Sequence, residues 1–211
     1  MMIMTLKIFF VFIISFMLSS CSQESSLKKR DGLIVYQEAQ ISWSRNFNPL
    51  SPAGSTRWPT KCGIHEPLFV YNSMTGRWVP WLAVSYKWNK NNTVLEMKTR
   101  KNVFWSDGLP FTANDVVFTS KIKKEFKALD TRNSWEYLDQ VVAINDSTVQ
   151  YKFNRVNVPG FDALATQSIV PKHIWEKVED PVRFLNPNPV GTGPFTEILR
   201  FDNQIWELGK N

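Results

Sequence analysis

Residues 76–118 have the sequence GRWVPWLAVSYKWNKNNTVLEMKTRKNVFWSDGLPFTANDVVF, and this stretch decides the fold. Polar and apolar side chains alternate over two short segments within it, which predicts two half-buried strands. The alternating positions are Tyr86 and Trp88 in the first segment and Val94, Glu96 and Lys98 in the second. The Asn-rich residues 89–92 between the segments are typical of a hairpin loop.

A turn and a helix follow the two strands. Ser106, Asp107 and Gly108 predict the turn. Thr112 stands three residues before Asp115, which is the spacing of a capping box at the start of a helix. The helix then has an apolar face, formed by Val116, Val117, Phe118, Ile122 and Phe126.

The order of these elements resembles a known family. The segment WVPWLA, an aromatic strand, a charged strand and the segment FWSDGLPFTANDVVF resemble the oligopeptide-type solute-binding proteins of bacterial ABC importers, also called extracellular solute-binding family 5. A second segment, PVGTGPF at Pro189 to Phe195, lies at the family's distance downstream and resembles the same family. The resemblance extends from about Leu33 to Asn211, and it covers only the front of the family pattern.

The resemblance implies a fold and a division of the chain. We expect an α/β lobe of the type II periplasmic-binding-protein kind, incomplete, with mixed sheets and surrounding helices. Residues 32–53 would begin the main lobe with its first strand and cleft loop, and residues 54–186 would form a subdomain inserted into it. Residues 187–211 would return to the main lobe and stop before the second lobe. Members of the family close two lobes over a solute, so we expect one lobe alone to bind weakly or not at all.

The first 31 residues predict export and attachment to a membrane. Ile8 to Leu18 is an apolar run of eleven residues, which is too short to cross a bilayer and suits a signal peptide at residues 1–20. Leu18-Ser19-Ser20-Cys21 resembles the bacterial lipobox, so we expect a lipid anchor at Cys21 and a flexible tether over residues 21–31. The alternative is an ordinary cleaved signal with a chance cysteine. The expected location is the cell envelope, outside the cytoplasmic membrane.

Composition argues against several kinds of function. The net charge of +6, which falls to +5 when Lys7 leaves with the signal peptide, is mild and dispersed, so the sequence has no nucleic-acid footprint. His65 and His173 have no second His or Cys at ligand spacing, and we expect no metal or other cofactor. Cys62 has no partner if Cys21 is lipidated, and we expect its side chain to fill a small packing space.

The loop after the first predicted strand, Leu33 to Glu38, is the main candidate for solute contacts. In the family this strand ends in a loop that borders the ligand cleft, and loops at the carboxyl ends of strands are free to present side chains. The candidate residues are Trp43, Asn46, Phe47 and Asn48 in this loop, Trp58 after it, and Trp135 farther along the chain. The alternative is that Trp43, Phe47 and Trp135 cover the core of the lobe.

The remaining patterns predict further elements. They are a helical segment from Arg57 to near Glu66, a hairpin of residues 141–145 and 148–153, a short helix at residues 161–166, and strands of the main sheet at residues 196–200 and 204–208. Gly191 and Gly193 are expected to adopt backbone angles that other residues avoid. Their segment lacks the Lys-Ser/Thr ending of a phosphate loop, so we reject that interpretation.

These features together predict transport. We expect the solute-binding component of an ABC import system, which captures oligopeptides outside the cytoplasmic membrane and delivers them to permease and ATPase subunits. An oligosaccharide receptor of the same family is an alternative, because the nine tryptophans could stack on sugar rings. The scarcity of His argues against nickel complexes, which other members of the family carry.

Two alternatives of other classes stay open. One is an extracellular hydrolase, for example a glycosidase with two carboxylates about 5 to 9 Å apart. Its candidate carboxylates, Glu96, Asp107 and Asp115, already have predicted roles on a strand surface, in a turn and in a helix cap, so we expect no enzyme. The other is a non-transporting envelope lipoprotein or an inactive fragment.

Overall fold

The computed structural model describes residues 44–51, 56, 59–202 and 206–211, and in these ranges it contains eight strands and three α-helices. The strands are β1 (Phe69–Asn72), β2 (Arg77–Pro80), β3 (Ala83–Trp88), β4 (Val94–Thr99), β5 (Leu138–Asn145), β6 (Thr148–Phe153), β7 (Phe195–Phe201) and β8 (Trp206–Lys210). The helices are α1 (Ala113–Glu125), α2 (Phe161–Ala165) and α3 (Lys172–Trp175). The predicted α/β arrangement of sheets with surrounding helices is confirmed, but the strand pairs of the described sheets are all antiparallel, whereas mixed sheets were predicted.

The largest sheet has four antiparallel strands in the order β3-β4-β6-β5. One face is apolar because alternate residues such as Leu95, Met97 and Tyr151 point into the core, where they are fully buried. The opposite face is polar, and on it the Gln150 amide donates to Glu96 Oε1 at 3.0 Å. The two predicted strands are confirmed, and so is the hairpin formed by β5 and β6. The predicted alternation is confirmed in β4, whereas in β3 residues 84–87 are all exposed.

Helix α1 covers the apolar face of the sheet and begins with the predicted capping box. The backbone N–H of Thr112 donates to Asp115 Oδ2 at 2.8 Å, and the N–H of Asn114 donates to Thr112 Oγ1 at 3.2 Å. Asp115 is buried, and its second oxygen accepts from the N–H of Lys172 at 2.9 Å. The same carboxylate therefore caps α1 and holds the start of α3, a second role that the local spacing did not predict.

The hairpin of β1 and β2 joins the core through aromatic rings. Phe161, at the start of α2, lies 5.1 Å from the ring of Trp78 and 4.4 Å from the ring of Tyr86, measured between centroids. Phe69 on β1 also contacts both Phe161 and Tyr86. These contacts explain much of the aromatic content as packing between the hairpin, the sheet edge and α2.

The helical segment predicted from Arg57 to near Glu66 is wrong in its described part. Within the single turn Thr60–Ile64, Lys61 is extended, with ψ of 133°, and Cys62 is left-handed, with φ of 68°. The Cys62 side chain is exposed, so the prediction that it fills a packing space is also wrong. Arg57 lies outside the described residues.

Gly191 and Gly193 are required for a different reason from the one predicted. Among the described glycines, only Gly76 and Gly108 have positive φ. A Cβ at Gly191 would overlap the carbonyl oxygen of Ile64, and a Cβ at Gly193 would overlap that of Gly63. Close approach of two backbone segments therefore explains these glycines.

The last strands, β7 and β8, confirm the strands predicted near residues 196–200 and 204–208, and in the described residues they pair with each other. The predicted signal peptide, tether and first strand lie outside the described residues, and the boundaries proposed at residues 53 and 186 stay predictions. In the part of the chain that the structure describes, every helix is too short or too polar to cross a membrane.

Candidate functional site

Three segments meet to form what we call the loop junction, defined as residues 44–51, 59–65 and 181–193. Asn48 is fully buried at its centre. The Asn48 amide donates to the carbonyl oxygens of Pro181 at 3.0 Å and Phe184 at 2.7 Å, while its Oδ1 accepts from the N–H of Leu50 at 2.8 Å. One side chain thus ties the first loop to a segment more than 130 residues away.

Two other candidate residues have structural contacts in the same junction. Asn46 is buried, and its Oδ1 accepts from the N–H of Asn48 at 2.9 Å. Phe47 is fully buried, its N–H donates to the carbonyl oxygen of Leu185 at 2.8 Å, and its ring meets Phe201 edge-on. Buried side chains with these contacts offer little surface to a solute, so their described role is to fix the loop. Direct contact with a solute stays a prediction for both residues and for Asn48.

His65 is a buried polar residue that the sequence did not single out for the junction. Its Nδ1 lies 3.3 Å from the carbonyl oxygen of Ile169, and its Nε2 lies 3.2 Å from the Asn186 amide nitrogen. A carbonyl oxygen can only accept, so Nδ1 has the proton and Nε2 accepts from Asn186. Burial lowers the pKa of His65 to about 4, although the bond to Ile169 acts in the opposite direction. The ring is therefore neutral at pH 7.

Further hydrogen bonds join the segments of the loop junction to each other and to the turn before α1. The N–H of Ser106 donates to the carbonyl oxygen of Gly191 at 2.9 Å, and the N–H of Gly193 donates to that of Ile64 at 2.9 Å. The Asn186 amide also donates to the carbonyl oxygen of Phe47 at 3.1 Å. The segment PVGTGPF therefore holds the turn before α1 and the loop at residues 59–65 in fixed positions.

Trp135 lies at a groove between α1 and β5, with a volume of about 330 Å³. Its indole N–H donates to the carbonyl oxygen of Ser120 at 2.8 Å, and the ammonium of Lys124 lies 4.6 Å from its ring centroid. The groove is also lined by Lys121, Glu125, Asp139 and Val141. A fixed aromatic ring beside charges of both signs can contact a solute that has apolar and polar groups.

The candidate residues are therefore divided between two places. Asn46, Phe47 and Asn48 belong to the loop junction, whereas the contacts of Trp135 are with α1 and the turn before β5. Trp135 lines the groove described above. Trp43, Trp58 and the predicted lipid-bearing Cys21 lie outside the described residues. Trp135 and the loop residues were chosen by position and residue type, and their contact with a solute stays a prediction, while His65 and Asn186 gave no local signal.

The carboxylates considered for hydrolysis have structural partners. Asp107 accepts from the N–H of Leu109 at 3.2 Å, and its other oxygen lies 2.7 Å from His173 Nε2. Glu96 accepts from Gln150, and Asp115 caps α1 as described above. In the described ranges, no three His, Cys, Asp or Glu side chains are grouped as a metal site requires.

Comparison with known proteins identifies the chain's relatives. The family model for bacterial extracellular solute-binding proteins, family 5, middle part, matches residues 77–206. A putative ABC transporter peptide-binding protein of Brucella ovis is 27% identical over 173 residues, covering 79% of this chain and 32% of its own length. The oligopeptide-binding protein AppA of Bacillus subtilis is 32% identical over 123 residues, covering 54% of this chain and 22% of its own length.

A solved structure has the same fold. The periplasmic oligopeptide-binding protein of an oligopeptide ABC transporter from Thermotoga maritima, crystallised with bound mannohexaose, superimposes with a TM-score of 0.74 at 29% identity. The match covers 84% of this chain and 34% of the other. The chain thus spans about a third of the length of such relatives.

Proposed function

Because the chain belongs to family 5 of the bacterial extracellular solute-binding proteins, we propose that it forms part of the solute-binding component of an ABC import system. The observation that carries this proposal is the family match over residues 77–206, which includes both segments that suggested the family, FWSDGLPFTANDVVF and PVGTGPF. The predicted family and the predicted periplasmic-binding-protein-like α/β lobe are confirmed by that match and by the structural superposition. Family members are transport proteins that bind substrates, which agrees with a function other than catalysis.

The proposed solute is an oligopeptide. The named function of AppA supports this choice. The groove at Trp135 also supports it, because Lys121, Lys124 and Glu125 can meet charged groups while the indole meets apolar ones. An oligosaccharide is the second candidate, and the mannohexaose bound by the Thermotoga maritima protein favours it. Trp43, Trp58 and Trp135 are the side chains proposed to contact the solute, and Asn46, Phe47 and Asn48 are proposed to hold the loop that follows Trp43.

The proposed location is the outer face of the cytoplasmic membrane or the periplasm, where the chain would contact the permease of an importer that also has ATPase subunits. The apolar run before Leu18 supports export, and the lipobox-like Leu18-Ser19-Ser20-Cys21 supports a lipid on Cys21. More than one acyl chain is needed for stable anchoring, since each buried CH₂ contributes about 0.8 kcal/mol. Residues 21–31 would then hold the lobe near the membrane.

A titration tests this proposal directly. The chain without residues 1–20 would be titrated with a tetrapeptide and with mannohexaose, each to tens of millimolar, while backbone amide NMR signals are recorded. We expect saturable shifts with the peptide at residues around Trp135 and at the loop junction, with a weak dissociation constant because one lobe supplies only part of the contacts. Trp135→Ala should weaken binding, whereas Trp81→Ala, an exposed tryptophan outside the groove, should not. Saturation by mannohexaose alone would select the oligosaccharide, and no saturation with either would contradict solute contacts in this lobe without bearing on the family.

A further inference from the structure

The hairpin of β1 and β2 and the residues after it expose much apolar surface. Six of the fourteen large apolar side chains that are exposed in the described residues lie within residues 71–86. Exposed apolar side chains are normally scattered singly over a surface, and a concentration of them marks an interaction site. We call residues 69–80, which are the two strands with their turn, the apolar hairpin. The six side chains are Tyr71, Met74, Val79, Trp81, Val84 and Tyr86.

The apolar hairpin has apolar side chains on both faces and at its tip. Tyr71 pairs with Trp78 on one face, where the ring centroids are 5.1 Å apart and Tyr71 is 50% exposed. Val79 is the next residue after Trp78, so it lies on the opposite face, and it is also exposed. Met74, in the turn between the strands, is 93% exposed. A partner that covered one face would therefore leave apolar side chains on the other face in water.

The tip of the apolar hairpin is held in shape by its own hydrogen bonds. Asn72 Oδ1 accepts from the backbone N–H groups of Met74 and Thr75, at 3.0 and 3.1 Å. Gly76 has φ of 65°, and a Cβ at this position would lie 3.8 Å from the Tyr71 hydroxyl oxygen. The Tyr71 ring therefore extends beside the turn. Met74 and Tyr71 are presented together on an ordered turn, so binding through them requires little further ordering of the backbone.

The charge next to the tip is positive. Residues 67–95 contain three Lys or Arg and no Asp or Glu. Arg77 is the cation next to the tip, because it is exposed and pairs with Asn72 at the end of the turn. The acids on either side of this segment are engaged, since Glu66 accepts from an indole N–H and Asp162 pairs with Arg132. An anionic partner would thus meet Arg77 without a carboxylate of the hairpin to repel it.

A lipid surface fits these features better than a protein partner does. A protein covers one face and needs a pocket for a protruding side chain, whereas lipids surround a hairpin on both faces and at its tip. Tyr and Trp are enriched where a membrane meets water. In the described residues β1 and β2 pair only with each other, so their outer backbone groups need water or headgroups as partners. This need limits the depth of docking to the headgroup region.

We propose that the apolar hairpin docks on an anionic lipid surface. Met74 and Tyr71 enter the boundary between headgroups and acyl chains, and the Arg77 guanidinium stays among the lipid phosphates. The docking goes beyond the proposed solute binding and does not depend on it, since the groove at Trp135 is lined by other residues. It would fix the orientation of the lobe on the membrane, which a flexible tether alone does not.

Co-sedimentation with vesicles tests the docking. The predicted mature chain, residues 21–211, is made without a lipid on Cys21 and mixed at low salt with two kinds of vesicle. One kind is phosphatidylcholine alone, and the other contains an equal amount of phosphatidylglycerol. We expect binding to the anionic vesicles to be about fivefold stronger, as one cation near the surface provides. Arg77→Gln should remove this preference, whereas Arg183→Gln, at a side chain that is 90% exposed, should keep it.

The apolar contact is tested at the tip. Met74→Asp should weaken binding to the anionic vesicles by about tenfold or more, because the side chain no longer enters the apolar boundary. Met74→Leu should bind as the unchanged chain does. Ile144→Asp is the matched control, since it places the same charge at an apolar side chain that is 53% exposed outside the hairpin. It should retain most of the binding. Melting temperatures should be the same for both Met74 variants, because Met74 has few contacts to lose.

The other outcomes would overturn the docking. These are no binding to either kind of vesicle, equal binding to both kinds, or an equal loss in Met74→Asp and Ile144→Asp. A dimer in sedimentation velocity without vesicles that Met74→Asp abolishes, with no vesicle binding, would assign the hairpin to contact with a second copy of the chain. The peptide titration described above separates these results from the proposed function. Met74→Asp and Arg77→Gln should bind the tetrapeptide as the unchanged chain does.

Discussion

The four-stranded sheet and the loop junction are both buried, but they exclude water by different chemistry. In the sheet, Leu95 and Met97 pack apolar surface against α1, and the stabilisation grows with the area removed from water. In the junction, Asn48, His65 and Asn186 are buried with directional hydrogen bonds. The contribution of the sheet to the free energy of unfolding should therefore depend most on side-chain volume. The contribution of the junction should depend most on its hydrogen-bond donors and on whether His65 is protonated.

The largest expected effect is a cavity in the sheet. Leu95→Ala should lower the free energy of unfolding by about 4 kcal/mol, because it removes a fully buried side chain and the surroundings relax only in part. Denaturant unfolding followed by tryptophan fluorescence measures the change. Glu96→Ala, the next residue on the polar face, should change stability by no more than about 0.5 kcal/mol. Similar losses for the two variants would contradict the two-faced sheet.

Acid should act on the junction through His65. The pKa of this residue is about 4 in the folded chain and 6.5 ordinarily, so between these values the unfolded chain binds more protons. The free energy of unfolding should fall by about 3 kcal/mol as pH decreases from about 6.5 to about 4, and this contribution should then level off. Urea titrations at half-unit pH intervals measure the slope.

Two variants test whether His65 causes this pH dependence of the free energy of unfolding. His65→Gln should be less stable at pH 7 but should lose most of the dependence between pH 6.5 and 5, a range above the ordinary pKa of Asp and Glu. His173→Gln is the matched control and should keep the dependence, since it removes the only other histidine of the chain and leaves His65 with its partners. A slope that persists in His65→Gln would show that another group titrates.

Removal of one amide should weaken the junction by a smaller amount. Asn48→Ala leaves the carbonyl oxygens of Pro181 and Phe184 without their Asn48 donor, and we expect a loss of about 2 kcal/mol. Asn72→Ala is the matched control, because Asn72 Oδ1 accepts from two backbone N–H groups in an exposed turn, where water can replace it. We expect a change below about 1 kcal/mol for the control in the same urea titration. Equal losses in Asn48→Ala and Asn72→Ala would mean that burial does not increase the cost of removing a hydrogen-bonding side chain.

The two regions also differ in how far the sequence predicts them. The second strand of the sheet and the start of α1 follow from local patterns: alternation in residues 94–98, and the spacing of Thr112 from Asp115. Such patterns need only neighbouring residues, and the structure confirms them. The family resemblance added the periplasmic-binding-protein-like fold, which no local pattern could supply.

The junction depends on partners far apart in the chain. Asn48 bonds to residues more than 130 positions away, and His65 to Ile169 more than 100 positions away. No periodicity predicts such pairs, so the sequence suggested solute contact for Asn48 and a helix for the loop before His65. The exposed Cys62 with its positive φ was missed for the same reason, because contacts around the loop override the local preference for a helix.

Loss of the Thr112 cap of α1 should have the smallest effect on the free energy of unfolding. The cap is useful for comparing the sheet with the loop junction, because it is a hydrogen-bonded feature of the helix that covers the apolar face of the sheet. Thr112→Ala removes the acceptor for the N–H of Asn114 and should cost about 1 kcal/mol, while Thr112→Ser should restore most of it. Asp115→Asn should cost more, because Asp115 is buried and also accepts from the N–H of Lys172. Urea titrations of the three variants measure their losses of unfolding free energy and so rank them. If Thr112→Ala cost as much as Asp115→Asn, the link from α1 to α3 would have no energetic weight, and the cap would be purely local.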